Sequence, residues 1–356
     1  MKKYFLAVAS FFIYSHISLG QVYPGQMDST FVPVRSHHYD PELTFDFCVN
    51  EPAWSNQAGI HSAFGSTDRL YFRKEVPVNH DNDLSSSYST TVWRGERANA
   101  QILVWSSEAL EQVRVSTQDL RSAEGNIIPK DRITFELVRY VLSNYPYAEK
   151  KAICGESPYK SGFLMPDRFE TLDRFDLPSQ TTRPVWMMVD VPRGTAPGTY
   201  KGQVEVRAKG KAPQLLNLEI VVQNQLLPYP KDWKYRLDLW QNPWAVAWYN
   251  HVEPWSPEHK MLLKQHLKHY ADAGGTYITT YGVHSPWSDN SYMIEGGMIE
   301  WIKKADGTWA FDYKIFDEYV ELAMECGINE AITLYTPIPW GFRHRYKDEA
   351  TGDYSY

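Results

Sequence analysis

A chain of 356 residues is long enough for two domains of ordinary size, and 43% hydrophobic with 22% charged residues is a globular rather than a disordered composition. The net charge of −7 argues against a nucleic acid or an anionic membrane surface as a partner, because both require clustered basic residues. The aromatic content of 15% fits large cores, and it also fits a carbohydrate-handling protein whose aromatic rings pack on the flat faces of sugars.

The N-terminus, MKKYFLAVASFFIYSHISLGQ, has the organisation of a secretory leader. Two lysines precede an apolar stretch over residues 4–14 that is too short to cross a bilayer. Small residues at 18 and 20 predict cleavage before Gln21, so we expect a signal peptide over 1–20, an extension over 21–44, and a periplasmic or extracellular protein. No later segment approaches about eighteen uninterrupted apolar residues, so no membrane insertion is predicted.

Three cysteines, Cys48, Cys154 and Cys326, allow one disulfide with a spare thiol or no disulfide at all. They show neither a CxxC pattern nor a spacing to histidine that is typical of zinc sites. We therefore expect no metal site and no cofactor.

The region over 45–227 has the pattern of an all-β domain. Short alternating or apolar segments predict strands at 185–191, 199–207 and 215–222, and the first two are separated by a turn rich in Pro and Gly. Strands at this spacing are typical of a β-sandwich. Residues 140–170, which are rich in Pro, Gly and Tyr, are interpreted as an insertion or an extended loop.

Residues 228–234 form the predicted linker, because two prolines restrict its backbone and donate no ladder hydrogen bonds. After it, strands are predicted over 235–240, 276–281 and 330–336. The first two strands flank the helix SPEHKMLLKQHLKHYADAGG, in which Ser256 is the predicted cap, and DYKIFDEYVELAMECGI is the second helix. This alternation indicates a parallel sheet wrapped by helices. A long loop with a hairpin turn at Asp306-Gly307 follows the second strand, where barrel enzymes bind substrate.

Several motifs of this second region resemble one family. They are LDLWQNPWAVAWYNHVEPWS, HSPW, WIKKADGTWAFDYKIFDEYVE and PIPW, and the earlier region adds WRGERANAQ and PRGTAPGTYKG. In these motifs the chain resembles glycoside hydrolase family 123 over roughly residues 45–356. Members of that family are exo-acting β-N-acetylgalactosaminidases with a β-sandwich followed by a (β/α)8 barrel.

The resemblance implies an N-terminal all-β sandwich over 45–227 followed by an α/β (β/α)8-type barrel domain over 235–356. A complete barrel takes about 250 residues and eight strands. The segment after the linker is about half that long and holds three predicted strands. We therefore expect only the first three β/α units in this chain.

The family resemblance also implies a substrate-assisted, retaining hydrolysis of terminal N-acetyl-β-D-galactosamine. The 2-acetamido oxygen of the sugar attacks the anomeric carbon, which differs from the usual scheme with a carboxylate nucleophile. An Asp orients the acetamido group, and the Glu directly after it protonates the leaving oxygen. That Glu must stay protonated near neutral pH, so its surroundings must raise its pKa.

Two Asp-Glu dipeptides occur after the linker, and we expect neither to be the catalytic pair. Asp317-Glu318 falls within a predicted outer helix, where adjacent residues point to different sides. Asp348-Glu349 lies in a terminal loop of turn-like composition. In the family the pair follows a later strand, so no catalytic residue is assigned here.

Side chains at the carboxyl ends of the three strands are the predicted substrate contacts. They are Trp240 and Asn242 after the first strand, His284 and Trp287 after the second, and Tyr335 and Trp340 after the third. Core packing at the barrel top explains Trp240 and Tyr335 equally well. Sugar binding is the better explanation for the two loop residues of the second strand, because a loop offers less packing reason for an aromatic ring.

A second class of function stays open at this point. A non-catalytic glycan-binding protein would carry its site on exposed aromatic side chains of the β-sandwich. Binding that survives removal of the residues after Pro228 would favour this alternative. In both cases the partner is a glycan or a glycoconjugate.

Overall fold

The computed structural model describes residues 51–77, 84–143, 163–283, 297–335, 337–338 and 342–356. The predicted signal peptide and N-terminal extension lie outside the described residues. Contacts divide the described residues into two compact units, one that ends at Leu227 and one that begins at Pro228.

The first unit is built almost entirely of strands. In chain order they are β1 (His61–Gly65), β2 (Ser87–Arg94), β3 (Arg97–Ser106), β4 (Leu110–Thr117), β5 (Leu120–Arg121), β6 (Ile127–Ile128), β7 (Ile133–Ser143), β8 (Phe163–Glu170), β9 (Phe175–Leu177), β10 (Thr181–Asp190), β11 (Gly198–Arg207) and β12 (Gln214–Leu226). Short 3-10 turns occur at Glu51–Trp54 and Lys130–Arg132. The strands predicted at 185–191, 199–207 and 215–222 are confirmed as β10, β11 and β12.

Two sheets share one core in this unit. The first sheet has the strand order β1-β3-β10-β7-β8, and the second has β2-β12-β11-β4-β9 with β5 and β6 attached beside β11. All pairs are antiparallel except β2 with β12. Buried aliphatic side chains from both sheets, such as Val104 and Ile220, form a single cluster. This is the layered arrangement that the predicted sandwich requires.

The burial pattern of two strands explains the sequence signal. Alternate residues of β12 from Leu216 to Val222 are buried, because side chains of a strand point to opposite faces. The strand β3 is buried on both faces. Ile102 points into the core shared by the sheets, whereas Leu103 packs in a smaller cluster with Trp54 and Tyr71 on the other face.

The interpretation of residues 140–170 as an insertion or loop is wrong at both ends. β7 continues to Ser143, and β8 begins at Phe163 and pairs with it in antiparallel register. The Pro and Gly residues of this segment suggested a loop, and for that reason the sequence analysis did not predict the end of β7 or the start of β8. Residues 144–162 lie outside the described residues.

The second unit combines helices with short strands. In chain order the elements are α1 (Pro243–Asn250), α2 (Pro257–Asp272), β13 (Tyr277–Tyr281), β14 (Glu300–Lys303), β15 (Trp309–Asp312), α3 (Lys314–Glu325), β16 (Ala331–Tyr335), β17 (Tyr346–Asp348) and β18 (Tyr354–Ser355). A 3-10 turn at Pro230–Asp232 precedes them.

The predicted helices α2 and α3 and the parallel strands β13 and β16 are confirmed. Ser256 caps α2 as expected, because its hydroxyl accepts a hydrogen bond from the backbone N–H of His259 at 3.2 Å. The buried side chains of α2, His259, Leu263, Leu267 and Tyr270, recur at helical spacing. β13 and β16 pair residue by residue from Tyr277 with Ala331 to Tyr281 with Tyr335.

The strand predicted over 235–240 is not formed. It is reduced to an isolated parallel bridge between Leu237 and Gly275. Its neighbouring backbone groups bond to a side chain instead: the Tyr270 hydroxyl lies 2.7 Å from the carbonyl oxygen of Leu237 and accepts from the N–H of Leu239 at 3.3 Å. A Cβ at Gly275 would collide with the Tyr270 ring, so glycine is required for this approach.

Three complete β/α units of a barrel are therefore not seen in the described part of the chain. Three α-helices accompany the parallel pair β13 and β16. The other described strands form a separate sheet in the order β15-β14-β17-β18, in which β14 and β17 are also parallel. The hairpin predicted at Asp306-Gly307 is confirmed as β14 and β15. No helix within the described ranges is long and apolar enough to cross a membrane.

Candidate functional site

The carboxyl ends of β13 and β16 meet at one edge of the second unit. Tyr281 and Tyr335 end the two strands at the same register position. The N–H of Gly282 donates to the carbonyl oxygen of Tyr335 at 3.1 Å, so the pairing continues one residue beyond β13. In a parallel sheet this edge is the usual place for a ligand.

Four aromatic side chains form a continuous cluster at this edge, here called the aromatic cluster: Trp240, Tyr335, Tyr281 and Trp244. The ring centroids of Trp240 and Tyr335 are 4.5 Å apart in an edge-to-face arrangement. Tyr281 lies 6.2 Å from Tyr335 and 5.7 Å from Trp244. Trp240 is 48% exposed, whereas Tyr281 and Trp244 are buried. The cluster therefore has a buried base and one ring that is open to solvent.

The base of the cluster is tied to the segment before α1. The hydroxyl of Tyr281 donates a short hydrogen bond to the carbonyl oxygen of Gln241. Behind it, burial raises the pKa of the Tyr319 hydroxyl well above its ordinary value. The Tyr319 phenol therefore stays neutral in the physiological range and adds no charge behind the cluster.

Asn242 has a local role that the sequence analysis missed. Its Oδ1 atom accepts a hydrogen bond from the backbone N–H of Ala245 at 3.1 Å and caps α1. The sequence signal was available, because Asn followed by Pro243 is a typical helix start. A contact between Asn242 and a sugar stays a prediction.

The other predicted substrate contacts divide into two groups. Trp240 and Tyr335 are brought together by the structure, as described above. His284, Trp287 and Trp340 lie outside the described residues.

A carboxylate below the aromatic cluster was also missed. Asp238 accepts hydrogen bonds from the hydroxyl of Thr279 through Oδ1 and from that of Thr333 through Oδ2, both at 2.7 Å. The two threonines are register partners on β13 and β16. One carboxylate therefore joins the segment before α1 to both strands. The sequence signal for this contact was a polar residue, Asp238, Thr279 or Thr333, within each of three otherwise apolar segments.

The two Asp-Glu dipeptides lie elsewhere in the second unit. Glu318 is on α3 and forms an ion pair with Lys260 of α2 at 3.3 Å. Asp348 ends β17, where its Oδ1 accepts from the backbone N–H of Ala350 at 2.9 Å, and Glu349 is exposed in the turn. The expected terminal loop is thus a hairpin, since β17 pairs with β18 and also with β14. Neither dipeptide lies directly at the carboxyl end of β13 or β16.

No group of three or more His, Cys, Asp or Glu side chains suited to a metal ion occurs among the described residues. Burial raises the pKa of the Cys326 thiol, and its Sγ lies 3.6 Å from the carbonyl oxygen of Lys264. A buried thiol with a raised pKa is a poor nucleophile.

Two sequence models of one family match the chain in succession. The glycoside hydrolase 123 N-terminal domain matches residues 64–208, and the glycoside hydrolase 123 catalytic domain matches residues 240–356. Together they match well over half of the chain. No curated protein sequence matches the chain significantly.

A solved structure of a family 123 enzyme is similar to this chain in fold. A family 123 glycoside hydrolase from Clostridium perfringens, studied for the details of glycolipid glycan hydrolysis, is 24% identical with a TM-score of 0.72. The match covers 84% of this chain and 52% of that chain, so this chain spans about half the length of the bacterial protein. At this identity the likeness shows the fold alone.

Two further structural matches have TM-scores below 0.5 and carry no argument. A PapD-like domain of human CEP192 is 12% identical over 52% of this chain and 99% of that chain, with a TM-score of 0.25. A Bacteroides ovatus GH5 xyloglucanase is 10% identical over 69% and 43%, with a TM-score of 0.20.

A β-rich unit followed by a unit with an aromatic cluster at the ends of parallel strands fits the glycoside hydrolase class. Both units match one family within that class, and the chain belongs to glycoside hydrolase family 123. The resemblance inferred from the sequence motifs is confirmed.

Proposed function

We propose that this chain supplies part of the substrate site of an exo-acting glycosidase that removes terminal N-acetyl-β-D-galactosamine. The match of residues 240–356 to the catalytic domain carries the proposal. The partly exposed ring of Trp240 at the ends of parallel strands supports it. Because the chain spans about half of its structural relative, the activity is proposed for the whole protein.

The proposed mechanism is substrate-assisted and retaining. The 2-acetamido oxygen of the sugar attacks the anomeric carbon while an acid protonates the departing oxygen. Trp240 would pack on one face of the sugar, and Tyr335 would hold the indole in place through its edge contact. Excluding water on that face strengthens the electrostatic interactions of the developing charge.

We further propose that neither Asp-Glu dipeptide of this chain is the catalytic pair. Glu318 lies within helix α3 rather than at the end of a strand, and its side chain is engaged in an ion pair with Lys260 at 3.3 Å. The carboxylate of Asp348 accepts a hydrogen bond from the backbone N–H of Ala350 within a turn, and Glu349 is exposed. This chain by itself should then show no useful hydrolysis.

The first test uses an aryl N-acetyl-β-galactosaminide. It compares this chain with a longer form in which a complete barrel follows Tyr356. We expect turnover in the longer form alone, because an absent general acid costs about 100- to 10,000-fold. If this chain turns over the substrate and Glu349→Gln abolishes that turnover, the hairpin is the active site and the proposal is wrong.

A second test concerns the aromatic cluster. In the longer form, Trp240→Ala should lower kcat/KM about tenfold or more, because it removes the ring on which the sugar packs. Trp248→Ala is the matched control, since Trp248 is similarly exposed at 51% but lies on α1 outside the aromatic cluster. Equal effects of the two substitutions would contradict a role of the cluster in binding.

The alternative of a glycan-binding sandwich has one supporting observation. The rings of Phe169 on β8 and Trp186 on β10 lie 5.7 Å apart in the five-stranded sheet, in which β7 runs between these two strands, and Phe169 is 42% exposed. The indole N–H of Trp186 donates to Oδ1 of Asn99 at 3.2 Å. Glycan binding that survives truncation at Pro228 and is lost in Trp186→Ala would favour this alternative.

We also propose that the protein is exported to the periplasm or outside the cell, on the strength of its basic and apolar leader. N-terminal sequencing of exported material should return Gln21. Recovery of an N-terminus at Met1 in that material would contradict the proposal.

A further inference from the structure

A cavity of about 630 Å³ lies in the second unit, separate from the exposed ring of the aromatic cluster. Its walls include the loop before α2, the first turns of α2 and α3, the segment that leads into β14, and the β14–β15 and β17–β18 hairpins, together with Trp244 of α1. This volume is within the range of about 300 to 1,000 Å³ that is typical of small-molecule sites.

Aromatic side chains from three parts of the second unit line this cavity. Trp255 contributes from the loop before α2, Trp301 from β14, and Tyr346 from β17. Trp244, a member of the aromatic cluster, also lines the cavity, and its ring lies 5.8 Å from Trp255 and 5.7 Å from Tyr281. The cavity and the aromatic cluster therefore share this one indole, whereas Trp240, Tyr281 and Tyr335 do not line the cavity.

Trp255 is held in a conformation that a bulky residue rarely adopts. Its φ is 65°, in the left-handed region. Its N–H donates to Nδ1 of His259 at 2.8 Å, and Nε2 of the same buried ring donates to the carbonyl oxygen of Pro243 at 2.8 Å. Such strained residues persist only where the surroundings fix them, and they occur preferentially at functional sites.

The charges of the lining nearly balance. Four carboxylates line the cavity, those of Glu253, Glu300, Asp312 and Glu318, together with the cations of Lys260, Lys314 and Arg345. Lys260 pairs with Glu318, and the guanidinium of Arg345 lies 3.5 Å from the ring of Tyr354. Within the described ranges no ion pair engages Glu253. A strongly anionic or cationic ligand would meet charge of its own sign here.

We propose that this cavity is a second sugar-binding site, which holds a neutral residue of the glycan away from the bond that is cleaved. Aromatic faces suit the C–H faces of a sugar, and carboxylate acceptors beside cationic donors suit its hydroxyl groups. The identity of the ligand as a glycan rests on the proposed function. The location of the site rests on the cavity alone.

The test measures binding of galactose, N-acetylgalactosamine and inorganic phosphate to the full chain by ligand-observed NMR. All variants carry Trp240→Ala, so that the aromatic cluster does not contribute. Glu253→Gln removes a negatively charged acceptor, and its control is Glu258→Gln, an exposed residue of α2 outside the cavity. Lys314→Trp fills the cavity opening, and its control is Lys304→Trp in the turn of the β14–β15 hairpin.

We expect at least one of the two sugars to bind, and each cavity variant to weaken binding about tenfold. The controls should stay within about twofold of the parent. Sugar binding that is unchanged in both cavity variants, no sugar binding, or binding of phosphate alone would each overturn the proposal. Hydrolysis of the aryl substrate by the longer form should be the same in Glu253→Gln as in its parent, so a failure here is distinguishable from a failure of the proposed function.

Discussion

The two units use similar apolar strands in different ways. Ile102 in the middle of the five-stranded sheet is fully buried, with strands paired on both sides of β3. Ile332 on β16 is 50% exposed, and β16 has one strand partner among the described residues. An apolar strand is therefore not by itself a core strand. Burial depends on what covers its faces and edges, which the strand's own sequence does not contain.

The same contrast holds for aromatic side chains. In the first unit the largest fully buried rings include Trp54, Tyr140 and Tyr200. In the second unit Trp240 and Trp248 are about half exposed. Exposed aromatic and aliphatic side chains near the ends of parallel strands mark a surface that packing within the described residues leaves open. The first unit thus encloses these large rings, whereas the second unit leaves Trp240 open to solvent.

The sharpest way to test this contrast is one substitution made at two places. Ile102→Ala should lower the free energy of unfolding of the first unit by about 2–5 kcal/mol, because it opens a cavity in a closed core. Ile332→Ala should lower that of the second unit by about 1 kcal/mol or less, because half of the side chain is already in solvent. Hydrogen exchange measured on peptides from β3 and β16 reports each unit separately.

The control for this pair is the parent chain under the same denaturant series. Equal losses in the free energy of unfolding at the two positions would mean that the side chain of Ile332 is buried in solution. The proposed difference in strand burial between the two units would then be wrong.

A second way to test the contrast is limited proteolysis. We expect a resistant fragment that ends near Leu227, with the second unit cleaved about a hundredfold faster because an open strand edge allows local opening. The fragments would be identified by mass spectrometry. Digestion in urea controls for the protease's intrinsic preference among sites, and equal resistance of both units without urea would contradict the expectation.

Much of the first unit could be predicted from its sequence, for a local reason. The alternation of apolar and polar residues along β12 predicts which of its side chains are buried, and turns rich in Pro and Gly predict where neighbouring strands end. The missed strand ends beside residues 140–170 show the limit. β7 and β8 are defined by pairing with each other, and strand propensity near Pro and Gly does not predict that pairing.

The candidate site was predicted less completely. Trp240 and Tyr335 were found because they follow strands, and they do meet. The strand predicted over 235–240 does not form. The hydroxyl of Tyr270, which is distant in sequence, forms hydrogen bonds with backbone groups of Leu237 and Leu239 that would otherwise pair with a neighbouring strand. The carboxylate of Asp238 was missed because its two partners come together only in the register of β13 and β16.

A third test concerns pH and the second unit alone. Burial lowers the pKa of His259, and the hydrogen bond from its ring to Pro243 only partly offsets this. A lowered pKa means that the unfolded state binds the proton more readily, so this stability is present above the unfolded pKa of about 6.5 and is lost as pH falls through the folded pKa. One such group changes the free energy of unfolding by at most about 1.4 kcal/mol per pH unit.

The measurement is the unfolding of the second unit between pH 7.5 and 5, on the order of two to three pH units around the reference pKa. His259→Gln keeps a neutral polar side chain and should flatten this dependence, while the first unit should show the same profile in both proteins. The pKa of His266 is also lowered, by desolvation and by the neighbouring His269, but His266 is exposed on α2, so His266→Gln is the comparison. A profile unchanged in His259→Gln would assign the acid sensitivity to another group.

The smallest expected effect is the difference in coupling free energy between two ion pairs that both join α2 to α3. Lys260 and Glu318 are 3.3 Å apart with side chains 35% and 28% exposed, whereas Lys264 and Glu325 are closer, at 2.8 Å, but 53% and 60% exposed. Solvent screens an exposed pair and lets both side chains move, so exposure should outweigh distance. We expect a coupling free energy of about 0.5–1 kcal/mol for the first pair and at most about 0.3 kcal/mol for the second.

Two double-mutant cycles measure these couplings, with Lys260→Met and Glu318→Gln in one and Lys264→Met and Glu325→Gln in the other. Both cycles connect α2 to α3, so any general loosening of the helix contact affects them alike. Raising the salt concentration should reduce the coupling of the exposed pair more than that of the partly buried pair. A larger coupling for Lys264 with Glu325 would mean that distance governs both pairs, and that the wall of the cavity near Glu318 is as open to solvent as the outer surface of the helices.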